Sequence, residues 1–264
     1  MVVAPTAWPH IDWSAPWLVP WRATGEPLLV DAQRRGLVAA LSTALERRSG
    51  PCIALATGRL RFVAQLELPR GEAYEAFIGR TACVPTRDNV HDFFNGLAWL
   101  AFPGLKRRLN ELQNLQIAAA NAGAPRGAVR DALTLFDENA ALWAAPPVLG
   151  DALCRRDWHG LFTIHRDAWG AAPPPLLFGH ALLEKLVHPR KAITAHVWVL
   201  AQGTALEPGT LATLTVDMLA DKPFLPLPVL GVPGWWAANE APGFYDDAAV
   251  FRQRSPQGMR PAPE

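Results

Sequence analysis

Several absences in this 264-residue chain narrow what it can be. Three cysteines, Cys52, Cys83 and Cys154, are odd in number, far apart and without a CxxC pair. They indicate neither a disulfide framework nor a cysteine zinc site, and read as reduced, buried thiols of a cytoplasmic protein. Charge of one sign is also missing. The 25 Lys+Arg against 24 Asp+Glu leave +1, so no global field points to nucleic acid or an anionic membrane. No apolar run reaches the roughly 20 residues of a membrane helix, and Pro223, Pro226, Pro228 and Pro233 interrupt the most apolar segment. The N-terminus shows no basic region followed by an apolar stretch, the mark of a signal peptide. A phosphate loop and the patterns GxGxxG, GxSxG and HExxH are missing as well. With 50% apolar and 19% charged residues, what is left is a folded domain with a substantial core.

Tryptophan and proline crowd the start: Trp8, Trp13, Trp17 and Trp21 alternate with Pro9, Pro16 and Pro20. The prolines predict an extended arm over 1–30 that presses its indoles onto the core; a sugar- or peptide-binding strip is the alternative. A helix is expected from an Asp31 cap to about Arg48, with Leu37, Leu41 and Leu45 on one face. A strand follows within 59–68. Helices are expected over 90–101 and from Pro103, the latter with Leu105, Leu109 and Leu112 inward and Lys106, Arg107 and Arg108 on its solvent side; Gly123 ends it. Segments 132–136 and 140–143 read as two strands joined by a turn at Asp137-Glu138-Asn139. A broken helix over 148–169, a helix over 177–187, a strand over 193–200 and a helix near 211–220 complete the pattern. The prediction is an α+β fold: one helix-rich globular domain over 1–254 with a small, mostly antiparallel sheet, and a flexible tail at 255–264. Pro173–Pro175 is the best linker candidate.

Four polar constellations carry the chemistry. In RDNVHDFFN, His91 and Asn95 share a helix face at i,i+4, while Asp92 reads equally as a site acid or a capping-box acid behind Asn89. Asp137 and Glu138 offer adjacent carboxylates for a cation, a base or a substrate, against an ordinary turn. In FGHALLEKL, His180 and Glu184 again lie four apart, and His196 on the next strand, with Lys191 before it, is placed to complete a His/Glu/His set. The bland readings there are surface ion pairs and a buried His196 bonded to backbone. The last motif holds Trp235, Trp236, Asn239, Tyr245 and Asp246 among prolines and glycines, lining a site or closing the core.

The strings RDNVHDFFNGLAWLAFP, DALTLFDENAALW, FGHALLEKL with ITAH, and PLPVLGVPGWW with FYDDAAVFR resemble an uncharacterised bacterial domain-of-unknown-function family, family 3025. The resemblance covers residues 80–253 and implies a compact bacterial domain, with no known reaction or cofactor. A weaker likeness, Asn89…Asn95-Gly-Leu-Ala-Trp to the end of HNH-type nucleases, has no upstream histidine pair to support it.

The leading expectation is a small-molecule hydrolase or lyase. His91, Asp92, Asn95, His180, Glu184 and His196 would supply acid–base or metal-assisted chemistry, the metal, if any, being divalent and unidentified. Asp137, Glu138, Lys191, Trp235, Trp236, Asn239, Tyr245 and Asp246 would bind the substrate. The rival is a non-catalytic binding module using an aromatic surface; an HNH-like nuclease ranks third.

Overall fold

The computed structural model describes residues 8–121 and 127–253. Ten α-helices occur among them: α1 (Val19–Arg35), α2 (Leu37–Arg47), α3 (Tyr74–Thr81), α4 (Val90–Ala101), α5 (Pro103–Asn121), α6 (Ala128–Asn139), α7 (Pro147–Arg155), α8 (His180–Lys185), α9 (Leu206–Thr213) and α10 (Val216–Ala220). The strands are β1 (Ala54–Leu55), β2 (Gly58–Arg59), β3 (Arg61–Ala64), β4 (Cys83–Thr86), β5 (Ala140–Ala144), β6 (Leu176–Leu177), β7 (Thr194–Leu200) and β8 (Leu225–Pro228). The fold is a helix-rich α+β domain. Its main sheet runs β6-β5-β7-β8, parallel only between β5 and β7. β3 and β4 form a separate parallel pair.

The main sheet is buried on both faces. Ala141 and Trp143 of β5, with Ala195 and Val197 of β7, enter a large core with α1, α2, α4 and α7. Ala140 and Leu142, with Trp198 and Leu200, enter a second core with α5, α6 and α10. That double burial explains why β5 reads AALWA, an apolar run without alternation. Strand β8 takes the edge, where Pro226 and Pro228 remove no donor the sheet interior needs.

The structure revises several expectations. The expected extended arm is not continuous: residues 13–18 form turns, and α1 begins at Val19 with Pro20 in the first turn, where a missing N–H costs nothing, and it tolerates Pro27 inside. Asp31 is therefore no cap; it pairs with Arg35 one turn on. Gly36, at φ 87, breaks α1 from α2, and the Asp88 carboxylate accepts the Leu37 N–H at 2.6 Å. Residues 132–136 are helical, because buried Ala132, Leu133 and Phe136 follow a 3.6-residue repeat; Asp137–Asn139 is thus the last turn of α6 and not a hairpin tip. Lys106 points inward, 4% exposed. Cys52 and Cys154 are exposed, and only Cys83 is buried. The expected helix over 177–187 shortens to α8, with residues 176–177 in the sheet. That over 211–220 divides into α9 and α10. The expected tail at 255–264 and the helix end at Gly123 lie outside the described residues. Of the arm's four indoles, Trp13, Trp17 and Trp21 are buried, as expected, and Trp8 is partly buried against the core. Among the described residues no helix is long and apolar enough to cross a membrane.

Candidate functional site

Three helix ends meet beside the sheet. Helix α4 is set by Asn89, whose side chain accepts the Asp92 N–H at 2.7 Å, the expected cap. Asp92 completes no capping box. Its carboxylate accepts the Arg87 backbone N–H at 2.6 Å and takes both arms of the Arg87 guanidinium at 3.0 and 2.9 Å. Arg87 is thereby held against the start of α4, with His91 one position before its clamp. Helix α8 packs on both α4 and α6. Its entry at Gly179 lies so close to the end of α6 that a Cβ there would come within 3.0 Å of Glu138 and Asn139 backbone atoms. This close approach brings His180 beside Asp137.

The result is one continuous polar chain. His91 Nδ1 lies 2.8 Å from Glu184 Oε2, and His91 Nε2 lies 3.1 Å from His180 Nε2. The rings meet edge to face with centroids 4.5 Å apart. His180 Nδ1 faces Asp137 Oδ2 at 3.8 Å, and Lys106 Nζ donates to Asp137 Oδ1 at 2.5 Å. Beneath them, Asn110 donates to Glu75 Oε2 at 2.5 Å, and Asn95 Nδ2 donates to the Tyr74 hydroxyl at 2.9 Å. His180, Lys106, Asp92 and Asn95 are buried, whereas the Glu184 side chain is 43% exposed. The chain therefore runs from solvent into the interior.

A cavity of about 370 Å³ opens on this cluster. Of the residues singled out from sequence, His91, Asp92, Asn95, Asp137, Glu138 and His180 line it, and Glu184 joins through His91. The two i,i+4 pairs work differently from expectation: His180 and Glu184 both reach His91, across the α4–α8 packing. Tyr74, Glu75, Arg87, Gln113 and Thr134 also line the cavity, and Lys106 backs it; sequence reasoning did not select them. A lysine in the apolar repeat of Leu105, Leu109 and Leu112 was the one available signal. A larger cleft, about 720 Å³, lies between α2 and the β1–β3 region and holds no histidine.

The remaining candidates sit elsewhere. His196 is on β7 opposite Pro226, edge-on to Phe224, and is not part of the cavity wall, so it does not complete a His/Glu/His set with His180 and Glu184. Burial, then Lys185, lowers its pKa. Lys191 stands 4.3 Å from the Phe244 ring centroid and 3.0 Å from Asp247. Asn239 donates to Leu230 O and Val232 O at 2.9 and 2.8 Å, and the Tyr245 hydroxyl donates to Gly231 O at 3.0 Å. Trp235 is buried against Trp17, Trp236 is partly buried, and Asp246 is exposed. Trp235, Asn239 and Tyr245 thus help close the core around the proline-rich loop, while Asp246 stays at the surface. Among the described residues, no three His, Cys, Asp or Glu side chains are grouped so as to hold a metal ion.

Electrostatics follow burial. Desolvation is the largest influence on His180 and brings its pKa down to about 4, against the pull of Asp137. Burial raises Glu75, with Asp137 adding to it. On Asp137 burial also acts upward, but the Lys106 ammonium, with His180, outweighs it and the carboxyl ends below its ordinary value. The His180 shift has a consequence for stability. Between about pH 6.5 and 4 the unfolded chain takes up a proton at His180 that the folded protein refuses, so stability falls with acidity and this loss levels off below pH 4. The full shift corresponds to about 3 kcal/mol. Denaturant unfolding at pH 7 and pH 4.5 is expected to show most of that loss, reduced in His180→Gln; an equal loss in both proteins would contradict the assignment.

Residues 60–255 match the model of the family described as Protein of unknown function (DUF3025). The match spans more than half of the chain, and the protein belongs to that family. No curated protein and no solved structure matches it.

Proposed function

We propose that this protein is a small-molecule enzyme, a hydrolase or lyase of acid–base type, with its active site in the cavity bounded by α3, α4, α6 and α8. One observation carries the reading: two imidazoles from different helices touch Nε2 to Nε2 at a cavity wall, each backed by a carboxylate. An imidazole exchanges protons near neutral pH, and a carboxylate behind it fixes ring orientation and tautomer. Core histidines have no need of that arrangement. Arg87, immobilised by Asp92, offers a cation to an electron-rich substrate oxygen at the rim.

The cavity volume suits a small polar molecule. The burial of Trp13, Trp17, Trp21 and Trp235 favours this reading over a module that binds through exposed indoles. Balanced charge argues against nucleic acid. Three free cysteines fit a bacterial cytoplasmic setting. The test is turnover of ester, amide, phosphoester and glycoside substrates by the protein and its His91→Gln variant. A loss of at least about 100-fold is expected, the usual worth of a general acid–base group. Turnover that survives in a variant with unchanged melting overturns the proposal.

A further inference from the structure

We propose that the cleft of about 720 Å³ between α2 and the β1–β3 region is a second binding site, which takes a soluble amphipathic anion: an apolar chain or ring that ends in a carboxylate or a phosphate monoester. The inference goes beyond the catalytic reading and does not depend on it, because the cleft and the active-site cavity share no lining residue.

Alternation in the sequence builds one wall of the cleft. Arg59 ends β2 and Arg61 begins β3, so extended backbone sets both on one face, while Leu60 and Phe62 turn the other way into the large core. Exposure agrees: both arginines are exposed, and Leu60 and Phe62 are buried. The opposite wall is the end of α2 with half-buried Leu45, followed by Arg48 and the bend at Gly50-Pro51 that leads to buried Ile53. Ile53, Leu60 and Phe62 thus give the cleft an apolar floor, and the arginines give it a cationic rim.

Charge decides what fits. The lining holds Arg48, Arg59 and Arg61 against one acid, Glu46, and among the described residues none of the three arginines has a carboxylate partner. Elsewhere Arg22, Arg35, Arg80, Arg87 and Arg166 each meet one. Arg48 donates from Nε to Leu100 O and from Nη1 to Pro51 O, both at 3.1 Å, and Arg61 Nη2 lies 3.1 Å from Cys83 Sγ. Carbonyls and a thiol hold these two guanidinium groups in place without neutralising them. A guanidinium matches carboxylate and phosphate oxygens with paired donors, and one that is already fixed loses less freedom on binding. The active-site cavity has the reverse lining, Glu75, Asp92, Asp137 and Glu138 against Arg87, so of the two an anion is drawn to the cleft. A bare inorganic anion would leave the floor against water. An apolar chain or ring covers it, and a space of this size holds a complete small molecule.

Cys52 supplies a reporter. Its thiol is exposed within the lining, whereas Cys154 is exposed on α7, outside the cleft, and Cys83 is buried. Alkylation of the full-length protein by iodoacetamide, followed residue by residue by mass spectrometry, therefore reads occupancy at Cys52 with Cys154 as the internal reference. Octanoate and octyl phosphate are the probes; octanol and inorganic phosphate carry the tail or the head alone. At least one of the two amphipathic anions is expected to slow alkylation of Cys52 and leave Cys154 unchanged. Octanol and phosphate should need at least about tenfold higher concentration, the worth of one hydrogen bond to a charged group. Protection by octanoate alone assigns the head as a carboxylate, by octyl phosphate alone as a phosphate, and by both as either.

Arg59→Gln, a change at an exposed residue without a partner, should weaken the protection at unchanged melting temperature, and Arg59→Gln with Arg61→Gln should weaken it further. His91→Gln should be protected as the wild type is, whatever becomes of turnover. Absence of protection by both anions, equal protection by octanol, or undiminished protection in the double variant overturns the inference. So does alkylation of Cys52 that slows with protein concentration alone, which would make a second copy of the chain the occupant.

Discussion

Gly179→Ala is expected to be the most damaging single methyl group in the protein. Residue 179 has an ordinary φ of −62°, so the backbone itself would accept alanine. Space would not. The added Cβ would lie within 3.0 Å of Glu138 and Asn139 backbone atoms at the end of α6, which cannot swing aside as a flexible side chain does. Relief requires α8 to move away from α6. That motion would separate His180 from Asp137 and disturb the Phe178 and Gly179 N–H groups, both of which donate to Ala140 O at 2.9 Å. Overpacking of this kind costs about 1–3 kcal/mol where side chains can adjust. Against backbone we expect the upper end of that range or beyond, together with loss of the His91–His180 contact. Thermal unfolding with an imidazole spectrum checks both; a variant as stable as the wild type and with unchanged histidine signals would show that the helices are not locked at this point.

Trp21→Ala should be of similar size for a different reason. Trp21 lies in the first turn of α1, 3% exposed, edge-on to Phe102, and its indole N–H donates to Leu177 O at 3.0 Å. Truncation leaves a cavity and removes the donor from a buried carbonyl of β6. The two effects together should cost about 3–5 kcal/mol in chemical denaturation. A loss under 1 kcal/mol would mean that α1 does not anchor the strand leading into α8.

Much of this was legible in the sequence, and the failures have physical causes. Helices α4 and the start of α5 could be read because caps, Pro103 and apolar periodicity agree. Residues 132–136 misled because ALTLF fits both a short strand and a helix face; the second core, which collects Leu133 and Phe136 with Phe178 and Trp198, decides for helix. Proline misled at the N-terminus, since Pro20 falls in the first turn, where proline favours a helix, and α1 also accommodates Pro27 in its interior.

For the site, the motifs identified the histidines and acids but not their pairing. Four-residue spacing suggests partners within a helix, and here His91 of α4 takes both partners from α8 across an interhelical contact. Local spacing holds no information about that. Lys106 escaped because three successive cations read as a solvated face; its acid, Asp137, lies 31 positions further on. His196 was drawn in by its nearness to α8 in sequence, but the parallel pairing of β7 with β5 sets it against the α6 core, beside Phe224.

The most direct test of the central claim, that the cavity at His91 and His180 is where this protein works, is turnover before and after His91→Gln, with small-molecule binding mapped on the imidazole signals of the wild type. The account predicts at least one substrate class that is turned over, a rate at least about 100-fold lower in the variant at unchanged melting temperature, and ligands that shift the His91 and His180 signals together. Equal rates in the two proteins, or ligands that bind only away from these two rings, would contradict it.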